Sequence, residues 1–293
     1  MEAFFRRIRP NRPRPSQQFQ ILSDLHLEVG QQYATFTFPV SAPCLVLAGD
    51  IGRLVDYDGY RTFLAAQVTR YQNVFLVLGN HEFYGLDYAS GLTTAQRLVN
   101  EPALANRVDF LHRQRWDDPD GRLTILGCTL WSRIPAGAYD VVASKVSDYR
   151  KINGWTVQSH NDAHAADVAW LRHQVAALAL QNAEAKRPLL VVTHHAPCLE
   201  GTSRPEHTNN PWSPAFATDL LGNNAWTGVT VWVFGHTHYS TDFSRNGIRV
   251  VANQRGYVLP GSAALEKPSA ASKDKKNKKN NLHEFDAAMT IAI

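Results

Sequence analysis

The segment Pro-Cys-Leu-Val-Leu-Ala-Gly-Asp, residues 43–50, is an apolar run that ends in a glycine and a carboxylate. An uninterrupted apolar run of this kind is typical of a strand that is buried on both faces of a sheet. Residues 74–78 form a second such run, and residues 60–71 between them carry apolar side chains at helical spacing. Strand, helix and strand at this spacing predict a βαβ unit with parallel strands.

Further elements extend this unit in both directions along the chain. Strands are predicted at residues 18–23, 123–131, 189–193 and 229–234, with a closing antiparallel strand at 248–252. Residues 159–184 are rich in alanine and leucine and predict the longest helix, with Ser159 and Asn161 as possible N-caps. We therefore expect one α/β domain in which sheet layers lie between helices.

Short polar segments follow the apolar runs in a fixed order. They are Asp24-Leu-His26, Gly49-Asp50, Gly79-Asn80-His81-Glu82, Thr193-His194-His195 and Gly235-His236-Thr237-His238. In open α/β sheets, ligands collect outside the carboxyl ends of the strands, so these side chains are expected at one edge. Aspartate, histidine and asparagine without cysteine suit two borderline-hard divalent ions about 3.5–4 Å apart. The ordered set therefore predicts the binuclear site of a hydrolase.

The spacing inside the motifs predicts how their side chains converge. In extended backbone, residues i and i+2 point the same way, so Asp24 and His26 are expected on one side of a strand end. His236 and His238 have the same spacing, and Asp50 has two oxygens with which to bridge both ions. Alone, a Gly-Asp pair is ordinary turn chemistry, so the specificity comes from the whole set. Histidines outside any motif are expected at the surface or at caps: His112, His160, His164, His173, His207 and His283.

Composition favours a soluble globular protein. The chain has 293 residues, of which 44% are hydrophobic and 19% charged, and this length allows one large domain. It lacks an apolar run of about 18 residues and an apolar leader, so neither a membrane span nor a signal peptide is expected. The three cysteines are expected to be small core residues in a reducing compartment, with the cytoplasm as the predicted location.

The excess of positive charge lies mostly at the two ends of the chain. Residues 1–16 are predicted to be a basic disordered arm, residues 17–259 the folded domain, and residues 260–293 a low-complexity, lysine-rich tail. Such clusters can hold phosphate backbones, but composition favours solvated, disordered ends.

Taken together, the motifs resemble those of calcineurin-like metallophosphoesterases over residues 18–257. Within that family the chain is similar to uncharacterised bacterial phosphoesterases that also carry Trp131 near a strand end and a late Asn-x-Arg-Gly-Tyr, here at residues 253–257. The resemblance implies a four-layer α/β/β/α sandwich with His81 as the catalytic histidine. It also implies one metal held by Asp24, His26, Asp50 and His238, and a second held by Asp50, Asn80, His194 and His236.

The chain departs from the family pattern at one position. Many members read Gly-Asp-x-x-Asp, and here the last position is Arg53, which could contact a substrate phosphate or be a surface arginine. The resemblance favours His194 over His195 as ligand, because the ligand in the family commonly lies two residues before an Ala-Pro or x-Pro turn, as His194 does here. His195 would then contact a ligand side chain or the substrate. Glu82 could orient His81 or form a structural ion pair.

The function implied is hydrolysis of phosphoesters, with phosphodiesters ahead of monoesters. Water activated between the two ions would attack phosphorus while His81 assists the leaving group. Mn²⁺ is favoured, and Fe or Zn²⁺ also fits the donors. A small phosphoester is the expected substrate, with Tyr84 and Arg255 as further candidate contacts and residues 207–212 as a candidate lid. The sequence makes no prediction of oligomeric state.

Three alternatives stay open. A nuclease could use the basic ends for contacts with nucleic acid, which would make its binding strongly dependent on salt. A protein phosphatase would share the same site. A non-catalytic scaffold could keep the fold as an interaction surface, but such proteins typically lose ligands that this chain retains.

Overall fold

Two β-sheets pack face to face, with helices on their outer sides. The computed structural model describes residues 16–181, 187–207, 209–222, 225–259 and 283–293. The basic arm predicted for residues 1–16 lies outside this part of the chain apart from Ser16, as do residues 260–282 of the lysine-rich tail. The predicted α/β sandwich is confirmed.

The first sheet has five strands in the order β11-β1-β2-β3-β4. Its strands are β1 (Gln18–Leu22), β2 (Cys44–Ala48), β3 (Asn73–Val77), β4 (Val108–Phe110) and β11 (Thr290–Ala292). Strands β1 to β4 are mutually parallel. The helices α1 (Tyr57–Val68) and α2 (Tyr88–Val99) connect β2 to β3 and β3 to β4, which confirms the predicted βαβ unit.

The second sheet has six strands in the order β5-β6-β7-β8-β10-β9. Its strands are β5 (Gln114–Asp117), β6 (Thr124–Cys128), β7 (Leu189–Thr193), β8 (Val229–Phe234), β9 (Thr241–Arg245) and β10 (Ile248–Ala252). Strand β10 pairs in parallel with β8 and antiparallel with β9, so the predicted closing strand is antiparallel on one side only. Between β6 and β7 lie α3 (Tyr139–Lys145), α4 (Asp148–Lys151) and α5 (Val157–Gln181).

The alternation of side chains along each strand builds three apolar layers. In β2, Val46 packs between the two sheets with Phe75 and Leu190, whereas Leu45 and Leu47 face the helices of the first sheet. A third layer joins the second sheet to α5 and includes Leu126, Val191, Val168 and Leu171. Since both faces of the central strands are covered, their sequences are continuous apolar runs.

The longest helix begins slightly earlier than the sequence suggests. Thr156 is its cap, because the backbone N–H of Ser159 donates to the Thr156 hydroxyl at 3.0 Å. Asn161 has a different role: its amide accepts from the backbone N–H of Ile134 and donates to the Ile134 carbonyl. These bonds join the start of α5 to the loop that follows β6.

The end of the chain returns to the domain. Strand β11 pairs antiparallel with β1, so that Gln18 lies opposite Ala292 and Gln20 opposite Thr290. The domain boundary predicted at residue 259 is therefore corrected for these last residues, which form an edge of the first sheet. The sequence pattern did not predict this strand, because it has only three residues and follows a long polar, lysine-rich stretch.

Among the described residues, no helix is long and apolar enough to cross a membrane. Cys44, Cys128 and Cys198 are buried free thiols, in line with their expected use as small core residues. The cytoplasmic location stays a prediction.

Replacement of Leu190 tests the layer between the sheets. Leu190 is fully buried there, so Leu190→Ala is expected to lower the free energy of unfolding by about 2–5 kcal/mol. Leu180→Ala is the control, because Leu180 is 85% exposed on α5 and its removal is expected to change stability by less than about 0.5 kcal/mol. Urea titration followed by circular dichroism measures both, and equal losses would contradict the layering.

Candidate metal centre

The predicted ligands lie at the carboxyl ends of parallel strands from both sheets. Asp24 and His26 follow β1, Asp50 follows β2, Asn80 follows β3, His194 follows β7, and His236 and His238 follow β8. Backbone bonds join these ends: the N–H of Gly235 donates to the His194 carbonyl at 2.9 Å, and the N–H of Asp24 donates to the Gly49 carbonyl at 3.0 Å. The structure brings all these ligand positions together.

The backbone at most of these positions is left-handed rather than extended. The φ angles are 51° at Asp24, 46° at His26, 52° at Asp50, 74° at His236 and 51° at His238. The expectation that extended i and i+2 spacing makes the side chains converge is therefore wrong. Left-handed backbone costs a non-glycine residue about 1–3 kcal/mol, and such strain clusters at functional sites.

The first cluster of ligand atoms consists of Asp24, His26 and His238, whose donor atoms all lie within 4.8 Å of one another. The Nε2 atoms of His26 and His238 are 2.8 Å apart, and His238 Nε2 is 3.6 Å from Asp24 Oδ1. Asp24 also accepts the backbone N–H of His236 at 2.9 and 3.0 Å. That bond ties the end of β1 to the end of β8.

The second cluster consists of Asp50, His194 and His236. His194 Nε2 is 3.1 Å from His236 Nδ1, 3.1 Å from Asn80 Oδ1 and 3.4 Å from Asp50 Oδ1. The other carboxylate oxygen of Asp50, Oδ2, lies 3.9 Å from His26 Nε2 in the first cluster. Asp50 therefore lies between the two clusters with one oxygen toward each.

The hydrogen bonds behind the ligands show whether divalent ions fit here. His194 Nδ1 is 3.0 Å from the Ala48 carbonyl, to which it donates, so the neutral ring presents its Nε2 lone pair to the cluster. Asn80 donates its amide to Asp148 at 2.8 Å, and its oxygen consequently faces His194. Bonds of this kind orient metal ligands in proteins. Nitrogen and oxygen lone pairs converge at two points, and these residues fit two divalent ions.

The buried charges of the site shift one another's pKa values. Burial raises the pKa of Asp50, but the adjacent His194 and His81 outweigh it and hold that pKa well below the ordinary value. Burial lowers the pKa of His194, but the Asp50 carboxylate raises it to about 9. His236 shows the opposite result, because burial and the neighbouring His194 hold its pKa well below the ordinary value. The buried carboxylate of Asp50 therefore stabilises positive charge beside it, which is why the pKa of His194 rises.

Position 79 has to be glycine because the Asp50 carboxylate and the His194 ring lie too close to its Cα for a Cβ atom. A Cβ atom at this position would overlap the Asp50 carboxylate and lie 2.6 Å from His194 Nε2. The glycine before Asn80 thus leaves the space in which the second cluster forms.

Glu82 has neither of its two expected roles. Its carboxylate accepts the backbone N–H groups of Asp50 at 3.0 Å, Ile51 at 2.8 Å and Gly79 at 2.7 Å. The backbone N–H of Gly52 donates to it at 3.4 Å and the Tyr60 hydroxyl at 3.0 Å. Glu82 therefore binds the loops after β2 and β3 to each other, behind Asp50.

His81 contacts two residues that were not predicted as site residues. Its Nδ1 is 2.8 Å from Glu28 Oε1, and its Nε2 is 3.0 Å from the Tyr257 hydroxyl. Burial raises the pKa of Glu28, but hydrogen bonds with His26 and His81 outweigh it and lower that pKa to about 2. The only sequence signal for Glu28 was its spacing, two residues beyond His26.

His195 lies behind the ligands rather than toward the cavity. It is fully buried, and its ring packs on His236 at 4.0 Å and on Trp131 at 5.3 Å between centroids. Neither of its ring nitrogens has a hydrogen-bond partner among the described residues. Of the two expected roles, contact with a ligand side chain is the one seen here.

The predicted substrate contacts divide into two groups. Tyr84 lines the cavity, with its hydroxyl 2.7 Å from Asp148 Oδ1. Arg53 is instead paired with Asp56 by two bonds of 3.1 Å. Arg255 donates to the Leu25 carbonyl and to Gln32, and its guanidinium lies over Phe36. Neither Arg53 nor Arg255 lines the cavity, and their contact with substrate stays a prediction.

Two histidines expected at the surface or at caps are buried instead. The Nε2 of His160 accepts the backbone N–H of Ser132 at 3.1 Å, and His164 Nδ1 is 2.9 Å from the Leu130 carbonyl. Both lie on the inner face of α5, where they hold the loop that carries Trp131. They correct the expectation from sequence, which could not show which way the helix faces.

A cavity of about 1360 Å³ opens over the two clusters. Asp50, Asn80, His81, His236 and His238 line it, together with Tyr257. Residues 209–214 form part of its wall, and Phe216 stacks on His236 with 4.7 Å between ring centroids. The described residues of the loop expected as a lid, 207 and 209–212, therefore border the cavity, and the motion of this loop stays a prediction.

The chain is similar to several known proteins. Uncharacterized protein L509 of Acanthamoeba polyphaga mimivirus is 28% identical over 231 residues, covering 73% of this chain and 78% of the viral protein. The crystal structure of phosphopantetheinyl hydrolase from Mycobacterium tuberculosis has a TM-score of 0.57 at 19% identity, with 87% of this chain and 94% of that chain covered. A dimetal phosphatase from Danio rerio has a TM-score of 0.48 at 14% identity, with coverages of 82% and 88%. The mycobacterial protein shares the fold.

A family model decides the classification. The model described as calcineurin-like phosphoesterase matches residues 19–240, which is more than half of the chain and includes every candidate metal ligand. Both the resemblance of the motifs and the α/β fold agree with that match. This chain belongs to the calcineurin-like phosphoesterase family.

Proposed function

We propose that the protein is a binuclear metal-dependent hydrolase of phosphoesters, with phosphodiesters as the preferred substrates. One observation carries the proposal: the two oxygens of Asp50 face two separate clusters of ligand atoms. The ions, when bound, would polarise the phosphoryl oxygens and lower the pKa of a shared water. Asp24, His26, Asp50 and His238 would hold one ion, and Asp50, Asn80, His194 and His236 the other.

His81 is the proposed proton donor to the leaving group. It lines the cavity, and its Nε2 lies 3.9 Å from Asp50 Oδ2, next to the bridging position. A positioned general acid contributes about 10²–10⁴-fold to the rate. Water attacks phosphorus on the opposite side, and the ester oxygen leaves with a proton from His81.

The donor atoms favour a group of divalent metals rather than a single one. Imidazole and carboxylate without thiolate suit Mn²⁺, Fe and Zn²⁺, and we propose Mn²⁺ from the family resemblance. The non-catalytic scaffold is disfavoured because the complete ligand set converges. The nuclease alternative rests on residues 1–16 and 260–282, nearly all outside the described part of the chain, so it stays a prediction.

The size of the cavity supports a substrate larger than a simple monoester. Small-molecule pockets typically measure roughly 300–1,000 Å³, and this one is larger. Trp212 and Phe216 offer apolar wall surface, and the cationic side chains of Arg133 and Lys145 also line the cavity. A diester with an organic group on each side of phosphorus would fill this volume. One organic group would lie toward Trp212, and any further anionic group of the substrate would lie toward Arg133 and Lys145.

Replacement of Asp50 and His81 tests the hydrolytic proposal. Asp50→Asn is expected to reduce Mn²⁺-stimulated hydrolysis of bis(p-nitrophenyl) phosphate to background, because the shared ligand is weakened. His81→Ala is expected to lower kcat by roughly 10² or more. Asp58→Asn is the matched control on the surface of α1 and is expected to keep full activity. Full activity in both site variants would reject the function.

Metal binding is testable without any turnover. Mn²⁺ is expected to bind metal-free protein at two ions per chain, measured by titration calorimetry. At free metal 100-fold above Kd it stabilises the fold by about 2.7 kcal/mol for each occupied site, seen as a higher melting temperature. Asp50→Asn is expected to lose most of this shift. A stoichiometry of one, or unchanged melting, would contradict the binuclear assignment.

The proposed substrate class is tested at Trp212. Trp212→Ala is expected to raise KM about tenfold for thymidine 5′-(p-nitrophenyl phosphate), because an aromatic contact worth about 1.4 kcal/mol is lost. The KM for p-nitrophenyl phosphate, which lacks the second organic group, is expected to change less than threefold. Equal changes for both substrates would mean that Trp212 does not contact the second group.

A further inference from the structure

Both ring nitrogens of His81 are engaged by side chains that are not metal ligands. Glu28 Oε1 lies 2.8 Å from Nδ1, and the Tyr257 hydroxyl lies 3.0 Å from Nε2. The side chains of Glu28 and His81 are each only 8% exposed, so water competes little for this contact. The ring is therefore fixed in orientation from both sides.

Glu28 is the carboxylate behind this histidine. Among the other buried carboxylates nearby, Glu82 is engaged by backbone N–H groups and Asp148 bonds to Asn80 and Tyr84. Glu28 Oε1 also lies 3.3 Å from His26 Nδ1, while Oε2 has no hydrogen-bond partner among the described residues. One oxygen thus serves both a candidate metal ligand and the candidate acid.

The contact between Glu28 and His81 determines which ring nitrogen of His81 carries the proton. A carboxylate only accepts hydrogen bonds, so the neutral ring keeps its proton on Nδ1 and presents the Nε2 lone pair on the opposite side. When the ring is protonated, the same carboxylate stabilises the imidazolium and leaves Nε2–H facing the cavity. A buried carboxylate that holds a catalytic imidazole in one tautomer is a known means of positioning.

We propose that Glu28 is a positioning residue that fixes the tautomer and orientation of His81, so that Nε2 faces the leaving-group oxygen. The Tyr257 hydroxyl marks the place of that oxygen, and substrate displaces it. As water bonds to phosphorus and the ester P–O bond breaks, the leaving oxygen takes the proton from Nε2. His81 is left neutral with its remaining proton on Nδ1, hydrogen-bonded to the Glu28 carboxylate, and solvent returns to Nε2 the equivalent of the proton that the attacking water loses. This inference rests on the proposed function.

The kinetic test uses methyl aryl phosphodiesters whose phenols range from p-nitrophenol to p-methoxyphenol. Glu28→Gln is expected to lower kcat by about 10–100-fold for the poorest leaving group and by under threefold for p-nitrophenol. His81→Ala is expected to steepen the leaving-group dependence in the same direction, in addition to its roughly 10²-fold loss with p-nitrophenol, because this variant also removes the positive charge beside the leaving oxygen. The double variant should be no slower than His81→Ala, because the residues act as a unit.

Two controls separate positioning from a structural role. Glu101→Gln removes a carboxylate that bonds to Tyr57 in another part of the fold, and its leaving-group dependence should match that of the unchanged protein. Metal content is measured for every variant, since Glu28 also contacts His26. A uniform loss across all leaving groups, or a loss of bound Mn²⁺ that accounts for the fall in kcat, would overturn the proposal.

A spectroscopic measurement tests Glu28 independently of hydrolysis. In ¹⁵N NMR of metal-free protein, His81 is expected to be the Nδ1–H tautomer when neutral, and Glu28→Gln is expected to give a mixture or the Nε2–H tautomer. An unchanged tautomer would overturn the positioning role even if the enzyme is active. Conversely, a tautomer change in a protein that hydrolyses no ester would reject the proposed function and keep the Glu28 contact.

Discussion

The Asp50 carboxylate lies between two groups of imidazoles, and the rest of the site is arranged around this one buried charge. It is 2% exposed, yet the neighbouring histidines keep its pKa well below the ordinary value. A carboxylate in that position is stable only when positive charge stands on both sides of it. The strands of two sheets supply those neighbours at their carboxyl ends, and the sandwich holds them there.

Holding the ligands together places strain on the loops that carry them. Asp24, His26, Asp50, His236 and His238 are all left-handed, a conformation that non-glycine residues adopt at a cost. The cost is offset by hydrogen bonds between loops and by three packed apolar layers beneath them. The fold thus stabilises a geometry that these loop segments would not hold on their own.

Buried carboxylates of similar chemistry perform different tasks because their surroundings differ. Asp50 faces imidazole nitrogens, Glu82 faces backbone amides, Asp148 faces an amide and a phenol, and Glu28 faces the rings of two histidines. Only the first stands between the ligand clusters. The others orient the ligands and the candidate acid, which is how a site of few residue types obtains several distinct roles.

The sequence by itself determined the central strands, the edge at which the motifs meet and the candidate ligands that lie there, because apolar runs and the residues that end them are local patterns. Only the tertiary structure decided the left-handed backbone at Asp24 and His236, the inward face of His160, the strand β11 and the contact of Glu28 with His81. Each depends on residues far apart in the chain: the Asp24 carboxylate accepts the N–H of His236, 212 positions away. Local spacing does not encode such contacts, since they exist only after both sheets have packed.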